Sequence, residues 1–155
     1  MKRGELLSKF IILATNAHAG QIDRAGQPYI LHILKVLLNV HELFGDAVDE
    51  ELECIAVGHD LLEDTDVTIE DILKIGGTKR ITDAILALTK NSGQSYDLYV
   101  QTVLCNIDAM RVKLADIKHN ADLTRLKKIT KKDKERQHKY VKFYNEIEQT
   151  LDHLT

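Results

Sequence analysis

His59 and Asp60 stand side by side, and each is followed four residues later by a carboxylate, His59 by Glu63 and Asp60 by Asp64. On a helix a four-residue step returns to the same face, so two potential metal ligands and two proton-handling carboxylates fall within about two turns. Imidazole and carboxylate together suit a divalent transition metal, with Mn2+ the first choice by ligand type and other divalent ions open. His32 upstream and Asp116 downstream extend the candidate set to His32, His59, Asp60 and Asp116. Four protein donors leave room on a five- or six-coordinate ion for water or a phosphate oxygen. Such an ion lowers the pKa of water and offsets charge developing on phosphate. The pattern reads as a metal-dependent phosphohydrolase. Each part has a plainer reading by itself: His-Asp pairs arise by chance, His32 suits a core or surface histidine, and Asp116 suits a helix cap or ion-pair partner. The reading rests on their combination.

The elements that must position these groups are helices. Leu6, Phe10, Leu13 and Ala17 recur at helical spacing and predict a first helix from about Glu5 to His18, ended by Gly20. A loop over 21–29 holds Gly26 and the only proline, Pro28. The next helix carries Leu31, Leu34 and Leu38 on one stripe with Ile30, Ile33, Leu37 and Val40 beside it, a face wide enough to predict burial at the centre of a bundle. Asp49 is a candidate cap for a third helix lined inward by Leu52, Ile55, Ala56, His59 and Leu62. Thr68 to Asp71 reads as a capped start, Gly76-Gly77 as a stop, and Thr78 as the next start, leading to Ile81, Ile85 and Leu88. Further helices follow around Leu98–Leu104, within 108–126, and from about Lys132 through Tyr140, Tyr144, Ile147 and Leu151. With no alternating strand, repeat or low-complexity linker, the expectation is one all-α domain over residues 1–155, of about seven or eight helices.

The chain's 155 residues allow a substantial core without disulfides, and 44% hydrophobic with 29% charged residues describes an ordinary globular protein. A net charge of −3 gives no general attraction to nucleic acid or an anionic membrane. The basic stretch 125–139 has no aromatic residues interleaved, so it lacks a base-stacking platform. It reads as a solvated loop and helix start or as a positive funnel for a polyphosphate. No apolar run approaches the roughly 20 residues of a membrane span. Cys54 and Cys105 lack metal-type spacing and read as reduced packing residues. The expectation is a cytoplasmic protein acting on a small-molecule nucleotide, binding neither nucleic acid nor membrane, with oligomeric state open.

Three blocks carry a resemblance: Ala17-His18-Ala19-Gly20-Gln21 with Gly26-Gln27-Pro28-Tyr29-Ile30-Leu31-His32, then Gly58-His59-Asp60-Leu61-Leu62-Glu63-Asp64-Thr65, then Lys113-Leu114-Ala115-Asp116-Ile117-Lys118-His119-Asn120. In order, spacing and identity they resemble the hydrolase domain of RelA/SpoT-type proteins, a branch of the HD-domain phosphohydrolases, over roughly the first 125 residues. The resemblance implies an HD-type helical bundle and a stand-alone small alarmone hydrolase without a synthetase. It implies metal ligands His32, His59, Asp60 and Asp116, Mn2+ as the usual ion, and removal of the 3′-pyrophosphate from guanosine tetra- or pentaphosphate. Glu63 and Asp64 would then activate water or manage the leaving-group proton. Asn120 matches a position that contacts the nucleotide sugar, and Tyr140 matches a tyrosine lining the nucleotide pocket.

Four positions depart from that pattern. Asp23 and Arg24 stand where an Arg-Lys pair is usual, Ile33 where a proline follows the first metal-ligand histidine, and Leu123 where some relatives have a polar residue. Arg24 can still grip a phosphate or stack on a base, whereas Asp23 is expected to repel a polyanion. That charge reversal keeps a second substrate class in view, another phosphorylated nucleotide or dinucleotide. A nucleotide-sensing metal module with little turnover is the reading from a different class. His18, His119 and Lys113 take no catalytic role here. His18 is expected to bond helix-end carbonyls, His119 to support the centre, and Lys113 to be a solvated helix residue. His41, His138 and His153 are expected at the surface.

Overall fold

The computed structural model describes residues 1–154. Its elements run α1 (Glu5–Ala17), α2 (Tyr29–Phe44), α3 (Glu50–Gly58), α4 (Leu61–Asp64), α5 (Ile69–Lys74), α6 (Lys79–Leu88), α7 (Tyr96–Leu104), α8 (Ile107–Asn120) and α9 (Lys131–Leu154). Two 3-10 turns lie at Gly45–Ala47 and Leu123–Arg125. Among the described residues no strand forms; Ile22 and Pro28 make one isolated antiparallel bridge that closes the loop between α1 and α2. The all-α expectation holds, with α4 only a single turn.

Helix starts follow local chemistry. Asp49 accepts from the Leu52 N–H, Ser95 from Leu98 and Asn106 from Ala109, each relieving an amide the first turn cannot bond internally. Thr68 and Asp71 complete a reciprocal capping box on α5, and Thr78 caps α6. Arg80 grips both Asp108 oxygens at 2.9 Å and Asp49 at 2.7 Å, tying the starts of α3 and α8 to α6.

Helix α8 is the hub, packing against α2, α3, α6, α7 and α9. Met110, Val112, Ala115 and Ile117 face inward from it toward Ile33, Val36 and Val40 of α2 and Phe143 and Ile147 of α9. The buried Asn39 donates to the Ala115 carbonyl at 3.0 Å and fixes α2 against α8. The buried arc of α2 is His32, Ile33, Val36, Asn39 and Val40; Leu31, Leu34 and Leu38 are exposed, at 50, 36 and 63%. The wide stripe expected to be central is thus corrected. Two apolar arcs share this helix, and the one carrying His32 and the small polar Asn39 wins the interior because their partners lie there.

A second correction concerns the strip around His59. The third helix does not continue to Leu62: α3 stops at Gly58, His59 and Asp60 form a turn, and α4 resumes at Leu61. Asp60 opens the new helix, its carbonyl accepting from the Asp64 N–H at 3.0 Å. Gly58 gives close-packed neighbours room, since a Cβ there would stand 2.9 Å from Ile85 Cδ1 and 3.3 Å from Phe10 Cε1 and the Ile85 tip would have to move. Of the two cysteines, Cys54 is buried, and burial pushes its thiol up to about 12; Cys105 is exposed rather than packed.

Candidate metal centre

Two helices and one turn converge on a single point. His32 comes from the first turn of α2, His59 and Asp60 from the break after α3, and Asp116 from the middle of α8. His32, His59 and Asp116 are 2, 3 and 5% exposed, so the inner wall of the centre is nearly dry. His32 Nε2 lies 3.0 Å from Asp116 Oδ1 and 3.8 Å from Asp60 Oδ2. His59 Nε2 lies 3.0 Å from Asp60 Oδ2 and 3.5 Å from Asp116 Oδ1. Ligand atoms of His32, His59 and Asp60 fall within 4.8 Å of one another, and those of Asp60, Glu63 and Asp64 form an overlapping acidic group.

The surrounding bonds fix which atoms point inward. His59 Nδ1 sits 2.6 Å from the Ala56 carbonyl, which can only accept, so that nitrogen carries the proton and Nε2 is the face turned to the carboxylates. Buried there, Nε2 finds no hydrogen-bond donor. His32 Nδ1 meets His119 Nδ1 at 2.7 Å. Burial and the neighbouring His32 pull the His119 imidazole down to about 4, so it is neutral at neutral pH, and the contact engages the outer nitrogen of His32 while Nε2 faces the centre. Tyr29 donates to Asp60 Oδ2 at 2.6 Å, and Asn120 donates to Asp116 Oδ1 at 3.0 Å.

The electrostatics ask for a cation. Burial opposes a charged His59, yet Asp60 and then Asp116 outweigh it and hold the imidazole well above its ordinary range. Burial likewise opposes an ionised Asp116, but Lys113, His32 and His59 hold its carboxyl well below the usual range. Two buried carboxylates facing two imidazole nitrogens whose other nitrogens are engaged is a donor set matched to a divalent ion, which supplies the positive charge without a proton. The residues present fit such an ion.

Lys113 was expected in solvent and is instead largely covered, its side chain 15% exposed. Its ammonium lies 3.0 Å from Asp116 Oδ2, 5.5 Å above the Tyr99 ring and 5.8 Å above the Phe143 ring. Burial would lower its pKa, but Asp116 holds it well above the ordinary range. Helical spacing marks the α8 face shared by positions 113 and 116, yet only tertiary packing makes that face internal. His18 also departs from expectation. It is 1% exposed and bonds the Gln21 side chain at 2.8 Å rather than helix-end carbonyls, while Gln21 donates to the Asp64 carbonyl. His41 is exposed as expected and meets Glu53 at 2.9 Å.

From this floor a cavity of about 570 Å³ opens outward, lined among others by Tyr29, His32, Glu63, Asp64, Asn120, Leu123 and Tyr140. Glu63 and Asp64 flank its inner end. Burial, with Asp60 beside them, raises both carboxyls above their ordinary range, while the Lys90 N–H bonded to Glu63 and the Tyr29 hydroxyl near Asp64 pull the other way. Arg24 and Tyr140 line the same cavity, so the candidate substrate contacts Arg24, Asn120 and Tyr140 share one space with the candidate ligands. Tyr29 is the participant that residue spacing did not single out. Its place three residues before His32, on the same helix face, was the available signal.

Asp23 does not face the cavity as an unopposed charge. One oxygen accepts from the Ala25 and Gln27 N–H groups at 2.9 Å, and the other meets Arg125 Nη2 at 2.9 Å. Burial would raise its carboxyl, but these donors hold it below the usual range. The expected repulsion is corrected: the negative charge is neutralised from within, by an arginine 102 residues away.

No family model matches the chain. A guanosine-3′,5′-bis(diphosphate) 3′-pyrophosphohydrolase of Aquifex aeolicus is 30% identical over 126 residues, covering 78% of this chain and 18% of that protein. The bifunctional (p)ppGpp synthase/hydrolase SpoT of Escherichia coli is 26% identical over 125 residues, covering 74% and 17%. A GTP pyrophosphokinase of Myxococcus xanthus is 26% identical over 129 residues, covering 75% and 17%. The chain therefore spans less than a fifth of the length of these curated relatives. Among solved structures, a metazoan ortholog of SpoT described as hydrolysing ppGpp superposes with a TM-score of 0.75 at 20% identity, over 99% of this chain and 95% of that one. At that identity the likeness establishes the fold. No helix among the described residues is long and apolar enough to cross a membrane.

Proposed function

From a chain that resembles RelA/SpoT-type HD hydrolases in sequence and shares their all-α fold, we propose a divalent-metal-dependent hydrolase that removes the 3′-pyrophosphate from guanosine tetra- or pentaphosphate. The observation that carries this reading is the convergence of His32, His59, Asp60 and Asp116 at the floor of a cavity whose inner edge bears two further carboxylates.

His32, His59, Asp60 and Asp116 would hold the ion, with Mn2+ the choice by donor chemistry. Bound there, a divalent ion supplies Lewis acidity, offsetting charge on phosphate oxygens and acidifying nearby water. The chain's own groups do the rest. Ala56 and His119 fix the two imidazoles in the orientation that turns Nε2 inward. Tyr29 and Asn120 hold the two aspartates by one oxygen each. Glu63 and Asp64, exposed to the cavity with raised pKa values, are the proton-handling pair: one accepts a proton from the attacking water while the other protonates the leaving oxygen. In the net reaction the water oxygen ends on the phosphorus next to the ribose. The bond from that phosphorus to the 3′ oxygen breaks, and a proton goes to the 3′ oxygen, leaving GDP or GTP and pyrophosphate. Arg24, Asn120 and Tyr140 would contact the nucleoside.

The test is product analysis after incubation of the purified protein with guanosine tetraphosphate and Mn2+, beside Glu63→Gln and an EDTA control. GDP and pyrophosphate from the wild type, lost in both controls, is the expected result. Tight metal binding with no turnover would sink the alarmone assignment and direct attention to other phosphorylated nucleotides.

A further inference from the structure

Helix α4 carries both proton-handling carboxylates and is a single turn, too short to hold its own shape. The two carboxylates are not equally secured. Glu63 accepts from the Lys90 N–H at 2.7 Å. Among the described residues the Asp64 carboxylate has one hydrogen-bonding neighbour, the Tyr29 hydroxyl, and at 3.4 Å the contact is long. That hydroxyl gives its proton to Asp60 at 2.6 Å. The aim of Asp64 is therefore set by its backbone, and the backbone is tied from outside. Gln21 Nε2 donates to the Asp64 carbonyl at 2.8 Å. A carbonyl can only accept, so the amide nitrogen of Gln21 faces Asp64 and its oxygen faces His18, whose Nδ1 donates across 2.8 Å. Gln21 is fixed at its root as well, its N–H donating to the His18 carbonyl at 3.0 Å and its own carbonyl accepting from the Tyr29 N–H at 2.8 Å. The end of α1, the start of α2 and the end of α4 thus meet on one glutamine. His18 is 1% exposed with its ring 5.1 Å from that of Tyr29, and its Nε2 is buried with no partner among the described residues. A phenylalanine of similar shape would avoid that unsatisfied nitrogen, but it could not donate to Gln21.

We infer that His18 and Gln21 are positioning residues, a relay that holds the end of α4 so that the Asp64 carboxylate reaches the reacting phosphate. On this account, which rests on the hydrolase reading above, the pair acts through Asp64. Neither side chain lines the cavity, and neither hydrogen-bonds a candidate metal ligand. Releasing the relay leaves the ion and the nucleotide in place and lets one carboxylate drift, while Glu63 keeps its bond to Lys90. A small misplacement of a proton-handling group is costly in rate and nearly silent in binding.

The experiment measures kcat and KM for guanosine tetraphosphate, and Mn2+ affinity by calorimetric titration, for the wild type, Gln21→Met, His18→Phe and His18→Asn. Methionine matches the length of glutamine without its donor and adds no charge. Gln21→Met and His18→Phe should each lower kcat by about tenfold, with KM and Mn2+ affinity within about twofold of the wild type. In His18→Asn the amide nitrogen takes the place of Nδ1, and kcat should return to within about threefold of the wild type. Full kcat in Gln21→Met overturns the proposal while leaving the hydrolase reading intact, and so does a KM or Mn2+ affinity that falls away together with kcat. An asparagine variant no faster than the phenylalanine one removes His18 from the relay. Position 21 is half-buried and outside the core, so Gln21→Met decides alone if a change at buried His18 fails to fold. No turnover by metal-loaded wild type fails the hydrolase reading itself, and the positioning role with it.

Discussion

The floor of the cavity and its rim are both dense in charge but are held by different means. At the floor, His32 and Asp116 project from helices α2 and α8 and His59 from the turn that follows α3, helices whose inner faces form the core, and each imidazole has its second nitrogen fixed by another group. At the rim, Asp23, Arg24 and Arg125 sit on a loop and a 3-10 turn, held mainly by ion pairs. Groups that need geometry to a fraction of an ångström are carried on rigid elements, and groups that choose a ligand are carried where sequence can change without unpacking the core. The floor is the expensive part of the molecule to alter and the rim the adaptable one.

Substitution at the floor should therefore be severe. Asp116→Asn should cut turnover by about 10³-fold or more, because the ion loses a charged partner and the several kcal/mol of stabilisation it provides. Elemental analysis should show the metal lost in parallel. Retention of stoichiometric metal at full affinity would remove Asp116 from the ligand set. Lys113→Met strips Asp116 of its buried counter-charge and should lower the stability of metal-free protein by about 3–5 kcal/mol. Urea melts with and without Mn2+ test this, since a divalent ion beside Asp116 should return part of the loss. His119→Ala should weaken Mn2+ by roughly 10–100-fold without abolishing it, as expected for a group that orients a ligand from behind. Calorimetric titration reads that directly, and an unchanged affinity would mean that His32 keeps its orientation unaided.

The smallest effect belongs to the rim. Asp23→Asn should cost about 1 kcal/mol at neutral pH. The Asp23 carboxyl is held below its ordinary value of 3.8 in the folded protein, so its contribution is present above that pH and is lost as pH falls through the folded value. Thermal melts of wild type and variant should differ at pH 7 and converge only as the pH falls from 3.8 through the lower folded value. A gap that persists in acid would show that Asp23 acts through packing and not through charge.

Much of the floor could be read from residue order. His59 and Asp60 with Glu63 and Asp64, and the matching blocks around His32 and Asp116, nominated the groups that the fold brings together. What could not be read was anything set by contact across the chain. Leu31, Leu34 and Leu38 form as good a helical stripe as the arc that won burial, and only the location of α8 decides between them. Lys113 and a solvated lysine look alike until Tyr99 and Phe143 close over it. Asp23 read as a hostile charge because Arg125, its partner, lies 102 residues away. The turn at His59–Asp60 was hidden for another reason: its sequence is compatible with continuous helix, and the break follows from the directions its neighbours must take.

Gly58 places an inherited constraint on this chain. A side chain at the position before His59 would press on the tips of Ile85 and Phe10, which line no part of the cavity and would have to give way. Neither can drift freely, because a bulkier or differently branched side chain at 10 or 85 presses on the backbone that aims the histidine. A mutant library that diversifies position 58 would force Ile85 and Phe10 to repack in every variant. One that varies Phe10 and Ile85 would instead alter how α3 hands over to α4, and would tune the centre from two helices away.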